Sequence, residues 1–201
     1  MTNKDLNVIF DLGGVLLEWN PAKILADRYA EIAHRELIEE KVFRHQDWLD
    51  LDRGTLDEPT AIERFHQRTG FAHDDLSGLM DAARASLLLK HDTWALLHEL
   101  RENRVPLYCL SNMAAPTFQY LKARYDVWGA FKGIVISGEI GMVKPEPDIF
   151  EYLLTKFELD RSRTVFIDDL QANVEAARRV GLHGIHFRDA ADCRLQLRAI
   201  S

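Results

Sequence analysis

Short apolar runs alternate with helical patterns along the chain. Four runs rich in β-branched or aromatic residues indicate strands, and a weaker fifth follows them: residues 8–10, 107–110, 134–136, 165–167 and 184–187. Continuous apolar runs are typical of strands that are buried on both faces, as in a parallel sheet. Amphipathic stretches at 92–103, 147–157 and 171–180 predict helices between the later runs. Strand alternating with helix predicts an α/β fold with a doubly wound parallel sheet.

Residues 18–87 interrupt this alternation, because they contain helix starts but no clear strand. Asn20-Pro21 and the sequence DEP at 57–59 combine an N-cap side chain with a proline in the first helical turn. Gly70 and Gly78 are expected to end helices or form turns. We therefore predict a core domain made of residues 1–17 and 88–201, with a small helical insertion at 18–87.

Composition narrows the possible partners and surroundings. The chain has 201 residues, is 47% hydrophobic and carries a net charge of −7, which disfavours a nucleic-acid partner held by a basic face. It contains no apolar stretch long enough to span a membrane. Cys109 and Cys193 form neither a disulfide framework nor a metal-binding spacing. We expect a cytoplasmic protein, either a monomer or a homodimer, that binds neither nucleic acid nor membrane.

Polar residues follow the four main strands at the point where each strand ends. They are Asp11, the pair Ser111-Asn112, Ser137, and the pair Asp168-Asp169. Open α/β sheets bind ligands outside the carboxyl ends of their strands, so these side chains are expected to meet in one crevice. Lys144 lies in a loop just before a predicted helix and could reach the same crevice.

This set of side chains suits phosphoryl chemistry with a metal ion. Three close carboxylates would repel one another without a cation, and oxygen ligands at this density suit Mg²⁺. The lysine, the hydroxyl group and the amide complement a phosphoryl group, whose transfer needs mainly positioning and charge neutralisation. Asp11, which precedes two glycines that leave the backbone accessible, is the candidate nucleophile. Each motif alone is more typical of a turn or a cap, and only the ordered set favours a functional site.

The chain resembles the haloacid dehalogenase-like (HAD) hydrolase superfamily over essentially its full length. The motif after the first strand is matched by DLGGV at 11–15, and the serine that ends the next core strand by Ser111. The lysine motif is matched by KPEPDIF at 144–150, and the acidic pair before a helix by Asp168-Asp169. The helical insertion looks like the helical cap of this superfamily.

The resemblance implies a role for each matched residue. Asp11 would attack phosphorus and also ligate Mg²⁺, together with the Gly13 carbonyl, Asp169 and Asp168. The phosphate would be bound by Ser111 and Asn112, while Lys144 would hold the phosphate and orient Asp11. Asn173 would orient the residues around the metal. His45, Trp48 and Arg53 in the insertion could contact the organic part of a substrate.

One position departs from the family pattern. Most phosphatases of this family have a second aspartate, the general acid and base, where this chain has Gly13; the resulting DxGG motif is similar to that of some sugar-phosphate phosphatases. Three functions remain open. The first is a Mg²⁺-dependent phosphatase, for a small soluble phosphate such as a sugar phosphate, that takes its acid from the cap, the substrate or a water. The second is a catalytically weak or non-catalytic phosphate-binding protein, and the third is a 2-haloacid dehalogenase.

Overall fold

Five parallel strands form the centre of the molecule. The structure is a computed structural model that describes residues 6–200; the first five residues and Ser201, which we assign to the core domain, lie outside the described residues. The strands lie side by side in the order β3-β2-β1-β4-β5. Their bounds are Asn7–Phe10 (β1), Leu107–Ser111 (β2), Gly133–Ile136 (β3), Thr164–Asp168 (β4) and His183–His186 (β5). All five predicted strands are confirmed, as is the parallel sheet.

Helices cover both faces of the sheet. In β1, the central strand, Val8 and Phe10 belong to one hydrophobic cluster and Ile9 to the other, as the alternation of side chains along a strand requires. Six helices accompany the later strands: α6 (His91–Glu102), α7 (Ala115–Arg124), α8 (Ser137–Ile140), α9 (Pro147–Lys156), α10 (Gln171–Arg179) and α11 (Ala190–Ala199). Because helices lie on both faces, the sheet is doubly wound, as predicted. The bounds of α6, α9 and α10 match the predicted helices within one or two residues.

Five further helices lie between β1 and β2, where the sequence predicts the helical insertion. They are α1 (Pro21–Arg28), α2 (Ile32–Ile38), α3 (Gln46–Arg53), α4 (Glu58–Thr69) and α5 (His73–Ala85), with one π-helical turn at Glu39–Phe43. They enclose a hydrophobic cluster of their own, built around Phe65, Ile38 and Leu76. The separate cluster accords with the predicted insertion, although its boundaries at 17/18 and 87/88 stay a prediction.

The helix ends in the insertion follow the expected capping chemistry, with one exception. Asn20 accepts a hydrogen bond from the Lys23 amide at 3.0 Å, and Asp57 accepts one from the Thr60 amide at 2.8 Å. Gly70 ends α4 in the left-handed conformation. The expectation for Gly78 was wrong, since it lies inside α5, where any side chain would overlap the Arg28 guanidinium. The Arg28 side chain of α1 therefore packs over this glycine.

No helix within residues 6–200 combines the length and the apolar character that a bilayer crossing requires.

Candidate active site

The central strands bring acidic side chains together at their carboxyl ends. Asp11 directly follows β1, and Asp168 ends β4, which pairs with β1. Oxygen atoms of Asp11, Asp168 and Asp169 all lie within 4.8 Å of one another. We call these three carboxylates together with Lys144 the carboxylate cluster. Its oxygen donors fit a hard divalent cation such as Mg²⁺.

Lys144 is the cation of this cluster. Its Nζ lies 2.9 Å from Asp11 Oδ1 and 2.7 Å from Asp168 Oδ2, and it also donates to the Leu110 carbonyl at 3.1 Å. The side chain is almost completely buried. Its backbone is held by the Asn112 side chain, which donates to the Lys144 carbonyl at 2.9 Å and accepts from the Lys144 amide at 2.8 Å. Asn112 thus fixes the loop that delivers the lysine.

The two acids of the pair have different surroundings. Asp168 is fully buried and accepts hydrogen bonds from the Leu170 amide at 2.8 Å and from Asn173 Nδ2 at 3.1 and 3.0 Å, in addition to Lys144. Both of its oxygens are therefore engaged, and its main contact with the cluster is through the lysine. Asp169 is only partly buried and lines the cavity in front of Asp11. Asp169 is consequently the better placed of the two to meet a ligand.

The two glycines after Asp11 differ in whether a side chain would fit at their positions. Gly14 has φ +74°, and a Cβ there would fall on the Asp169 carboxylate. Glycine is required at this position by both the backbone conformation and the close approach. A Cβ at Gly13 would meet only Trp19 Cβ at 3.6 Å and Trp19 Cγ at 3.9 Å, which are ordinary contact distances. Residue 13 therefore has room for a small side chain.

Burial and charge set the proton affinities in the cluster. Burial raises the pKa of Asp11 to about 7, with Asp168 adding to this effect and the Lys144 ammonium opposing it. The pKa of Asp169 is also raised, by burial and then by Asp168. Burial alone would lower the pKa of Lys144, but Asp11 and Asp168 outweigh it and raise that pKa. The cluster carries more negative than positive charge, so an added cation would stabilise it.

A cavity of about 1110 Å³ opens in front of the cluster, between the sheet edge and the insertion. Its inner part contains Asp11, Gly13, Ser111, Lys144 and Asp169. Much of the remaining wall is apolar or aromatic and includes Trp19, Phe43, Trp48, Leu56, Met80 and Tyr120. The cavity is therefore polar where the carboxylates lie and mainly apolar elsewhere.

A family model described as haloacid dehalogenase-like hydrolase matches residues 7–181. The chain belongs to this hydrolase family. It is similar to a sesquiterpene phosphatase from Aspergillus oryzae, with 28% identity over 96% of this chain and 94% of the relative. It is also similar to a phosphorylated carbohydrates phosphatase from Thermotoga maritima, with 23% identity over 89% of this chain and 83% of the relative.

A solved structure shares the fold. The HAD family enzyme from Bacteroides thetaiotaomicron, crystallised with magnesium and inorganic phosphate, superposes with a TM-score of 0.72 at 24% identity, over 92% of this chain and 94% of that one. The predicted fold is thus confirmed, and the family model confirms the sequence-based assignment to the HAD superfamily.

The HAD-type residues predicted from sequence mostly come together. Asp11, Gly13, Ser111, Asn112, Lys144 and Asp169 line the cavity, and Asp168 lies behind Lys144. Ser137 does not join them. It is buried at the start of α8, where its hydroxyl accepts from the Met113 amide at 2.8 Å and donates to the Asp52 carbonyl at 2.5 Å. Ser137 therefore ties the β2 loop to the insertion and does not line the cavity.

The three insertion residues expected near a substrate divide in the same way. Trp48 lines the cavity. Arg53 lies outside that lining and forms a two-point ion pair with Glu146, at 2.8 and 2.6 Å. His45 accepts a hydrogen bond from the Asp47 amide at 3.1 Å and thereby caps α3. Of the three, the structure brings only Trp48 to the cavity.

Two residues that sequence reasoning left without a role also belong to the site. The sequence suggested that the turn after Asp11 needs both of its glycines, but the structure requires glycine at residue 14 and leaves room for a side chain at residue 13. Asp52, next to Arg53, also lines the cavity. Asp52 lies in a stretch rich in charged residues, where a helix surface is the ordinary expectation, so the pattern gave no signal that would separate it from its neighbours.

Proposed function

We propose that the protein is a Mg²⁺-dependent phosphomonoester hydrolase that works through a phosphoaspartate intermediate at Asp11. The observation that carries this proposal is the meeting of three carboxylates within 4.8 Å, beside a buried lysine, at the carboxyl edge of the sheet. Such a set is complementary to a divalent cation and a phosphoryl group together. Family membership and the phosphatase names of the relatives support the same activity.

Asp11 is the nucleophile in this proposal. Its Oδ1 is engaged by the Leu12 amide at 2.7 Å and by Lys144 at 2.9 Å. These two contacts fix the carboxylate, so that Oδ2 is the oxygen that would form the bond to phosphorus. Lys144 would hold a phosphate oxygen as well, while Ser111 and the Asn112 region bind the other phosphate oxygens.

The metal would be held by Asp11, Asp169 and the Gly13 carbonyl, with Asp168 supporting them through Lys144 and Asn173. When bound, Mg²⁺ neutralises the charge on the phosphate and on the attacking carboxylate. The fit rests on the charge of the cluster, in which three carboxylates face one ammonium group.

The substrate is proposed to be a small organic phosphate. A sugar phosphate, as predicted from sequence, remains one candidate, and the carbohydrate-phosphate relative supports it. The mainly apolar wall of the cavity favours a second candidate, a monophosphate with an apolar organic group, and the name of the sesquiterpene phosphatase supports that one. Ranking kcat/KM for polyol phosphates against isoprenyl monophosphates separates these candidates.

Hydrolysis of an aryl phosphate tests the activity itself, because its leaving group needs little protonation. We expect turnover with Mg²⁺ that chelator removes, and a loss of at least about 10³-fold in Asp11→Asn, which keeps the shape of the side chain but removes the nucleophile. Asp50→Asn is the matched control, because Asp50 lies on α3 at a partly exposed position outside the cavity lining and accepts a hydrogen bond from Gln46.

Absence of turnover in folded wild-type protein with Mg²⁺ would contradict the proposal. It would direct attention to a phosphate-binding protein without catalysis, measurable as binding of inorganic phosphate by calorimetry, or to a 2-haloacid dehalogenase, measurable as halide release in chelator.

A further inference from the structure

Phosphate esters of ordinary alcohols need a proton donor, which residue 13 does not supply. An alkoxide is a poor leaving group, and general acid–base assistance is worth roughly 10²–10⁴-fold in rate. Gly13 has no side chain, and Lys144 is committed to two carboxylates. A donor supplied by the protein would therefore be another group that faces the cavity.

The cavity wall contains few carboxyl groups that are free for this task. Glu39 pairs with Arg44, and Glu58 pairs with Arg84. Asp57 caps α4 through the Thr60 amide. Histidine is absent from the described residues that line the cavity, and Asp52 forms no ion pair within residues 6–200. Asp52 is thus the acidic side chain of the insertion that faces the cavity without a charged partner.

Asp52 is also held firmly against the core. Its carbonyl accepts the Ser137 hydroxyl at 2.5 Å, and Ser137 in turn accepts from the Met113 amide, two residues after Ser111. On one side of Asp52, Arg53 is fixed by Glu146. One residue further along, a Cβ at Gly54 would lie 2.6 Å from the Gly138 carbonyl oxygen, so the two backbones are in close contact. These contacts therefore hold the backbone at the end of α3 against the segment that follows Ser111.

The surroundings of Asp52 suit a group that exchanges a proton near neutral pH. Burial raises the pKa of Asp52 to about 7, while the Ala114 amide and the Lys144 ammonium act in the opposite direction. The other nearby charges, on Arg53 and Glu146, neutralise each other across their ion pair. A general acid and base works best when its pKa lies near the working pH.

We propose that Asp52 is the general acid and base that takes the place of the missing second aspartate. The inference rests on the proposed phosphatase function. In the first step, Asp11 forms a bond to phosphorus, the bond to the ester oxygen breaks, and the Asp52 carboxyl gives its proton to that oxygen, releasing an alcohol. In the second step, the Asp52 carboxylate takes a proton from water. The water oxygen then bonds to phosphorus, the bond to Asp11 breaks, and phosphate leaves with both carboxyl groups restored.

The test compares two leaving groups in wild type and in Asp52→Asn. For an alkyl phosphate, we expect kcat/KM of the variant to fall about 10²–10³-fold, because the alkoxide is no longer protonated. For an aryl phosphate, we expect kcat/KM to stay within about threefold of wild type, because that leaving group departs without a proton. The aryl kcat should nevertheless fall, and phosphoenzyme should accumulate, because water attack still needs the base.

Several results would overturn the assignment of Asp52. Equal losses on both substrates would mean that Asp52 only binds substrate or supports the insertion, and unchanged rates on both would mean that the proton comes from elsewhere. Asp50→Asn is the control on the same helix, and binding of inorganic phosphate with Mg²⁺ reports whether the Asp52→Asn site remains assembled.

The failure of the proposed function would be a different result. It would be seen as a lack of Mg²⁺-dependent aryl phosphate hydrolysis in the wild type, before any variant is considered. If the wild type is active and the Asp52→Asn variant has the same activity, the proposed phosphatase function still holds. Only the role of Asp52 is then contradicted.

Discussion

Two groups of charged side chains in this protein each contain a buried acid but balance its charge in opposite ways. In the carboxylate cluster, one lysine faces three acids, and burial raises the pKa of Asp11 to about 7. In the insertion, Asp47 is almost equally buried but faces two arginines, Arg64 at 2.9 Å and Arg68 at 2.7 Å. Burial alone would raise the pKa of Asp47, but the arginines outweigh it and lower that pKa. We call Asp47 and its two arginines the arginine cluster.

The difference shows how to distinguish a reactive charge group from a structural one. In the arginine cluster, two arginines more than compensate the single carboxylate, so this buried acid needs no further cation. The carboxylate cluster lacks positive charge and opens onto a cavity, so it is complementary to a cation and phosphate that are bound later. Burial of an acid therefore does not show whether its group is reactive or structural. The balance of charge around the acid and its access to a cavity distinguish the two.

The largest expected effect distinguishes the two adjacent glycines of the carboxylate cluster. In Gly14→Ala, the new methyl group displaces Asp169, and we expect aryl phosphate kcat/KM to fall by at least about 10²-fold. In Gly13→Ala, the methyl group meets only Trp19, and we expect kcat/KM within about threefold of wild type. The measurement is Mg²⁺-dependent aryl phosphate hydrolysis. Similar activities in the two variants would show that Asp169 is not held as described.

The next effect concerns the arginine cluster, which should matter for stability but not for chemistry. Asp47→Asn leaves two arginines without their counter-charge, and we expect a loss of about 2 kcal/mol in the free energy of unfolding. For a protein of this size, the loss corresponds to a Tm lower by about 4–8 °C. At a temperature where the variant is folded, kcat/KM should match that of wild type. A large loss of kcat/KM in the folded variant would remove the distinction between the clusters.

The smallest effect is a dependence of stability on pH that comes from Asp52. Its pKa is raised in the folded state, so its contribution to stability is complete below the unfolded value, 3.8, and is lost as pH rises through about 7. Asp52→Asn removes this loss. Measured in chelator, the Tm of the variant relative to wild type should increase by at least about 2 °C between pH 5 and pH 8. A relative Tm that stays constant or falls would show that Asp52 is solvated.

Much of the core and of the carboxylate cluster could be predicted from the sequence. Parallel strands buried on both faces leave continuous apolar runs, and polar residues at their carboxyl ends must meet at one edge, which is why Asp11, Ser111 and Asp168 are brought together. The same rule about strand ends predicts Ser137 at that edge. It does not show that the Ser137 hydroxyl donates to the Asp52 carbonyl and accepts from the Met113 amide.

The insertion was harder to predict because its role depends on how it packs on the core. A helix-surface pattern does not distinguish Arg53, which faces Glu146, from its neighbour Asp52, which faces the cavity. Gly78 resembles a helix end in the sequence, but it lies inside α5, where the Arg28 side chain of another helix packs over it. These features arise from contacts between distant segments, and local patterns carry no information about them.

The most direct measurement is the covalent state of Asp11 during turnover. The Asp52→Asn protein is mixed with Mg²⁺ and an aryl phosphate, quenched in acid, digested and examined by mass spectrometry, with Asp11→Asn carried in parallel. The account predicts one added phosphoryl group on the peptide that contains Asp11, and none in the Asp11→Asn protein. Mg²⁺-dependent hydrolysis without any phosphorylated Asp11 peptide, or with the phosphoryl group on another residue, would contradict it.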